Sequence, residues 1–333
     1  MRLIERVWFQ GHRSKFWLVP LLLPLTFIFF LVTAFRRFCY RVGIKKQFPV
    51  RVPVLVIGNI GVGGNGKTPM VIYLIELCQQ LGIKVGVVSR GYGGAAPHYP
   101  YLLNEQSSAK EAGDEPMMIY RRCGIPVAVG PDRVAAVSVL AEQGCQLVLA
   151  DDGLQHYGMA RAKELIVVDG KRQFGNGLLL PAGPLREGKW RLASVDMVVV
   201  NGDADITLNQ ASMTLSPLHM VNLATGEKLD VAEFAERNKA VVAIAAIGDP
   251  DRFFNTLKRC NIGCENAIGF VDHHAFSEQE LTQVAQELPL VMTEKDAIKC
   301  QPFVHDSWWY LSISATFNEQ DNQRFEALLN ELI

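Results

Sequence analysis

From residue 52 onward the chain alternates short runs of Val, Ile and Leu with longer mixed segments. The runs at 52–57, 83–88, 126–129, 146–150, 165–169 and 195–200 are almost wholly apolar, as expected of strands covered on both faces, and the segments between them read as partly helical. This pattern predicts an α/β fold, a parallel sheet covered by helices. Residues 204–238 break the rhythm with alternating polar and apolar positions around a Thr-Gly turn, which predicts a small β linker. Alternation resumes with strands near 240–247, 265–271, 289–293 and 308–313 and an amphipathic helix from about 317, so a second, smaller α/β domain is expected. The chain is thereby divided into an N-terminal segment at 1–50, a core at 51–203, the linker at 204–238 and the smaller domain at 239–333.

The N-terminal segment follows a different pattern. Phe16 to Phe35, FWLVPLLLPLTFIFFLVTAF, carries no charge, and a helix needs about 20 such residues to cross a bilayer. A membrane anchor is expected over a signal peptide, since no small-residue cleavage site follows the run, and over a buried core helix. Pro20 and Pro24 also permit a kinked or shallow helix. Arg2, Arg6, Arg13 and Lys15 precede the run and Arg36, Arg37, Arg41, Lys45 and Lys46 follow it, too even a distribution to set orientation. Trp17, Phe38, Tyr40 and Phe48 interleave with these cations and suit a headgroup zone rich in anionic lipid.

Composition narrows the function. With 333 residues, 49% of them hydrophobic, the chain can bury a large core. Its 33 basic and 34 acidic residues nearly cancel, which argues against a nucleic-acid partner. The 7 cysteines include no C-x-x-C pair, and Cys260 and Cys264 lack a second pair at zinc spacing, so they read as thiols in a reducing compartment.

Candidate chemistry begins directly after the first strand. Gly61, Val62, Gly63, Gly64, Asn65, Gly66, Lys67 and Thr68 spell GVGGNGKT between a predicted strand and a predicted helix, the setting of a phosphate-binding P-loop. Its backbone N–H groups and the dipole of the following helix would hold phosphate oxygens, Lys67 would reach the β- and γ-phosphates, and Thr68 would ligate Mg²⁺. An acidic residue is needed at the end of another strand, and Asp151 and Asp152 in QLVLADDGLQH supply it. Either could hold the metal, with Asp151 favoured, or cap a following helix. Membrane-partitioning ATPases carry a lysine where this chain has Val62, and TEKD at 293–296 has an acid where a guanine-specific N-K-x-D needs lysine. Asp114 and Glu115 in AGDEP offer a carboxylate near the phosphates that could take a proton from an attacking hydroxyl, or could simply cap a helix. A membrane-tethered regulatory NTPase acting on a protein partner is the alternative, and it needs only a positioned water.

Taken together, GNIGVGGNGKTP, SRGYGG (89–94), GDEP (113–116), DDGLQH (151–156), LPAGPLRE (180–187), DHH (272–274) and TEKDAIK (293–299), behind one apolar segment, resemble the tetraacyldisaccharide 4′-kinases over nearly the whole chain. The resemblance implies a P-loop NTPase-like kinase core using ATP and Mg²⁺, at the bacterial inner membrane with its catalysis on the cytoplasmic face. The substrate would be an anionic glycolipid, a disaccharide lipid A precursor; no protein partner is implied. Position by position, it implies Asp114 as the base for the sugar hydroxyl and a histidine of DHH, His273 before His274, as its partner; read alone, both histidines are ordinary polar loop residues. For His273 to reach Asp114, the domains must face each other across a cleft. Arg90, Arg133 and Arg186 are candidates for the substrate's anionic groups, because a guanidinium can grip phosphate bidentately. Glu115 and Glu187 are further candidates at the metal, Glu187 alternatively balancing Arg186. The chain departs from the family's usual pattern at Asp249, where asparagine is usual, and at Val271, where proline is usual. The first bears on adenine-end contacts, the second on the histidine loop.

Overall fold

The computed structural model describes residues 3–333; Met1 and Arg2, the latter part of the basic run expected before the apolar segment, lie outside the described residues. Two helices come first, α1 (Leu3–Gln10) and α2 (Lys15–Arg41). The first half continues β1 (Val54–Gly58), α3 (Lys67–Gln80), β2 (Val85–Ser89), β3 (Tyr101–Leu102), α4 (Ala109–Ala112), α5 (Asp114–Cys123), β4 (Val127–Val129), α6 (Arg133–Glu142), β5 (Leu147–Asp151), β6 (Lys163–Asp169) and β7 (Met197–Asn201). Then come β8 (Gln210–Asn222), β9 (Lys228–Leu229), α7 (Val231–Arg237), β10 (Val241–Ala245), α8 (Pro250–Arg259), β11 (Cys264–Gly269), α9 (Glu278–Ala285), β12 (Leu290–Thr293), α10 (Glu294–Cys300), β13 (Trp308–Thr316) and α11 (Glu319–Asn330).

These strands form one 13-stranded sheet in the order β11, β10, β12, β13, β8, β7, β6, β1, β5, β2, β4, β3, with β9 added beside β8. Strands β1, β2, β5 and β7 are buried at every position, which is why their sequences are apolar without alternation. Leu55 and Ile57 face α3, α5 and α11, whereas Val54 and Val56 face α6. Each such side chain contributes roughly 1.5–3 kcal/mol when fully buried. Beyond β8 the same layering recurs, with α7 and α8 on one face and α9 and α10 on the other.

The 204–238 segment is more than a connector. The first residues of β8 pair parallel with β7, Gln210 to Met213 against Val198 to Asn201, and the rest pairs antiparallel with β13 through Trp309↔Asn222. A single strand therefore belongs to both halves. The last helix also returns to the first half: Phe325 and Leu329 of α11 enter the core around α3, and Tyr73 donates to Asn322 Oδ1 at 2.7 Å.

Helix α2 is long and apolar enough to cross a membrane. Thr26 and Cys39 are buried in it, and Leu22, Phe29, Thr33, Arg37 and Tyr40 are among its half-buried positions, at helical spacing, while Leu21, Phe27, Leu31 and Phe35 are open. The covered stripe lies along the first half. Thr26 Oγ1 accepts from Ala182 N at 3.0 Å, Arg36 donates to Gln155 O at 3.2 Å, and the Arg37 guanidinium sits 4.8 Å from the Trp190 ring.

Candidate active site

The phosphate loop leaves β1, runs through Asn59 to Gly66 and enters α3 at Lys67. Gly66 is required at its position: its φ is +94°, and a Cβ there would lie 2.6 Å from Nδ2 of Asn201. Residues 184–187 run alongside the loop, Val62 N donating to Pro184 O at 2.9 Å and Arg186 N to Ile60 O at 2.7 Å, which carries Arg186 to its edge. Lys67 Nζ donates to Asp152 Oδ1 at 2.8 Å and to Asn59 Oδ1 at 3.3 Å. Thr68, the second residue of α3, is half-buried beside it.

Strand β5 lies next to β1 with Asp151 opposite Ile57, so the acid pair emerges beside the loop. No helix follows it; residues 152–158 form turns, and neither aspartate is a cap. Asp151 is 2% exposed, and its Oδ1 has no hydrogen-bond partner. Burial pushes its pKa up, Glu115 and Asp152 add to the shift, and Lys67 and Arg133 oppose it. For Asp152 burial works the same way, but Lys67 and Arg186 outweigh it and bring the pKa down to about 2. Arg186 reaches Asp152 Oδ2 at 2.9 Å.

These residues fit a magnesium ion. An orphaned, buried carboxylate oxygen is a group that a cation satisfies, and the Thr68 hydroxyl stands at the start of the neighbouring helix. Among the described residues no group of His, Cys, Asp or Glu forms a closed metal cluster. None is needed, because Mg²⁺ in such sites takes most of its ligands from water and phosphate.

The second acidic pair opens α5. Asp114 is the first helical residue and Gly113 is the cap, so neither Asp114 nor Glu115 occupies the capping position. The glycines of SRGYGG bring the 89–94 loop hard against the junction of α4 and α5: a Cβ on Gly94 would lie 2.4 Å from Glu111 O and 2.7 Å from Gly113 N. His273 Nδ1 is 3.0 Å from Asp114 Oδ2, across the two halves of the chain, and the Tyr92 ring lies 5.6 Å from the imidazole. His273 holds a φ of +62°, an uncommon conformation for a residue with a side chain. His274 turns away, with Nε2 on Glu280 Oε2 at 3.0 Å and its ring stacked on Phe270.

The remaining candidates separate by position. Arg90 is exposed, while Arg133 is 3% exposed and its Nη1 donates to Val88 O at 3.2 Å and Asp151 O at 3.1 Å. Arg133 therefore supports the end of β5 from beneath, away from solvent. Glu187 is buried as well, accepting from Gln155 Nε2 at 2.9 Å and pairing with Arg191 at 3.3 Å. Glu115 pairs with Lys295 Nζ at 3.1 Å. Lys295 has no role assigned from sequence: TEKDAIK contributes to the family resemblance without singling out its lysine. Burial lowers the Lys295 pKa, but Glu115 and Asp272 outweigh it and leave it raised. Asp169, Arg172, Asn201 and Arg252, which meet beside the loop, carried no sequence signal at all.

Comparison with known proteins identifies a family. A family model described as tetraacyldisaccharide-1-P 4′-kinase matches residues 18–333. The chain is 53% identical over 328 residues to a tetraacyldisaccharide 4′-kinase of Colwellia psychrerythraea, covering 97% of this chain and 96% of that one. It is 49% identical over 332 residues to one of Aliivibrio salmonicida, with 99% and 97% covered. Among solved structures, LpxK from Aquifex aeolicus in complex with ATP superposes with a TM-score of 0.79 at 24% identity, over 95% of this chain and 100% of that one. At that identity it speaks to the fold.

Proposed function

The chain belongs to the tetraacyldisaccharide 4′-kinase family, and we propose that it transfers the γ-phosphoryl group of ATP to the 4′-hydroxyl of a tetraacyl disaccharide 1-phosphate in lipid A biosynthesis. The loop at 61–68 receives the phosphates of ATP, and Lys67 exchanges Asp152 for the β- and γ-phosphate oxygens. Asp114 accepts the proton of the 4′-hydroxyl as that oxygen attacks the γ-phosphorus in line and ADP departs. His273 orients the Asp114 carboxylate and offers it a donor. Arg186 and Arg90 stabilise charge on the passing phosphoryl group and on the glycolipid's phosphate. Thr68 and Asp151 would hold Mg²⁺, with Asp152 and Glu115 near enough in charge to tune the site. The chemistry a bound Mg²⁺ supplies is neutralisation of charge on the β- and γ-oxygens.

What supports this reading most is the 3.0 Å contact between His273 and Asp114, made between residues 159 positions apart in the chain. A regulatory NTPase has no use for such a pair, since it only positions a water. The exposed apolar face of α2 is bedded in the inner membrane, with both halves on the cytoplasmic side where ATP is available. Confining enzyme and insoluble substrate to one surface raises their effective concentration. Incubation of the purified chain with γ-labelled ATP and tetraacyl disaccharide 1-phosphate tests the reading: label should enter the lipid, and label appearing only as free phosphate would overturn it.

A further inference from the structure

Two arginines cross between the halves in opposite directions beside the phosphate loop, and neither is among the groups assigned above. Arg172, from the turn after β6, donates to Gly248 O at 3.2 Å and pairs with Asp249 at 3.2 Å. Arg252, from α8, donates through Nη1 to Asp169 Oδ2 at 3.1 Å and through Nη2 to Asn201 Oδ1 at 3.0 Å. Asp169 and Asn201 end the adjacent strands β6 and β7 and face each other in register. Both are buried, at 5% and 3% exposure. One guanidinium therefore ties two strand ends that point at the loop.

The Asn201 side chain completes a connection. Its Nδ2 donates to Asn65 O, in the phosphate loop, at 3.2 Å, and it is the atom against which Gly66 packs. A guanidinium only donates and a main-chain carbonyl only accepts, so Arg252 and Asn65 together permit a single orientation of this amide. With Arg252 absent, Asn201 could turn over and present oxygen to oxygen at Asn65. The loop is approached from above as well, since a Cβ on Gly248 would lie 4.0 Å from Gly64 N.

We propose that Arg252 is a positioning residue for nucleotide binding: by fixing the Asn201 amide it holds the Asn65 carbonyl and the following turn in the phosphate-accepting shape, so the C-terminal half sets the affinity of a loop that belongs to the first half. The inference rests on ATP occupying residues 61–68. Transfer of label to glycolipid by the wild-type chain tests that reading separately, whereas the clamp is tested by equilibrium titration of the full chain with ATP·Mg²⁺, which needs no acceptor. Arg252→Ala and Asn201→Ala should each weaken ATP binding roughly tenfold, with kcat at saturating ATP changed less than about threefold. The double variant should be no more than about twofold weaker than the worse single, because the two residues act through one path. Arg252→Lys, whose single ammonium replaces a fork, should fall between Arg252→Ala and wild type. An Arg252→Ala affinity within about twofold of wild type, a double variant whose losses multiply, or a loss confined to kcat would overturn the proposal. The Arg252 side chain is 43% exposed, so Arg252→Ala and Arg252→Lys remain informative if the buried Asn201→Ala fails to fold.

Discussion

Asp114 and Lys67 are assigned different tasks in the same reaction, and substitution separates them. Loss of a general base removes a transition-state contribution only, so Asp114→Ala should lower kcat by about 10²–10⁴-fold and leave ATP affinity near wild type. Lys67→Ala should impair both, which single-turnover kinetics and ATP titration would show; equal, modest losses in the two variants would contradict the assignment. Asp152 carries a different consequence, read in stability. Its pKa is depressed from 3.8 to about 2, so the stabilisation it receives from Lys67 and Arg186 is present above its ordinary value and disappears as pH falls through the folded value. Asp152→Asn should therefore flatten the dependence of unfolding on pH between about 4 and 2, measured by denaturant melts. At this scale the sequence was legible in part. Lys67 and the acid pair follow from spacing, but Asp114 and His273 could be linked only through resemblance, because local pattern says nothing about loops so far apart. Arg133 shows the converse: as a residue type it suits a phosphate, yet burial turns its guanidinium to main-chain carbonyls.

Helices and strands differ in how plainly they announce themselves. The fully buried strands β1, β2, β5 and β7 were readable within a couple of residues, since burial on both faces leaves no polar positions to confuse the pattern. The two-residue β3 left no trace, and the pairing of β8 with strands on either side is a long-range property that alternation cannot encode. The loop at 89–94 is close-packed on the α4–α5 junction, and Gly94→Ala should displace it, destabilising the chain by about 1–3 kcal/mol in thermal melts and lowering turnover. Helix α2 permits a sharper expectation. Its covered stripe lies along the first half, so in the membrane attachment proposed above the outer face, not the end, is what meets lipid. Spin labels at Leu21→Cys and Phe35→Cys, about 21 Å apart along the axis at 1.5 Å per residue, should report similar bilayer depth if the helix lies along the surface. A large difference in depth would show that it crosses instead.

For the whole molecule, the interface between the halves holds the candidate chemistry: Asp114 and His273, Glu115 and Lys295, Asp169 and Arg252 all pair across it. Assembly of the site therefore depends on the two halves being packed together. The two halves should also unfold together. With α11 of the C-terminal end packed on α3 of the first half, calorimetry should give a single cooperative transition, and two resolved transitions would contradict the packing. One consequence belongs to β8. Because its first residues bond to β7 and its later ones to β13, cutting the gene anywhere in that strand would yield fragments each displaying a raw sheet margin with hungry amide and carbonyl groups. Expressed apart, they should clump with copies of themselves; produced together, they should find one another and restore the continuous sheet.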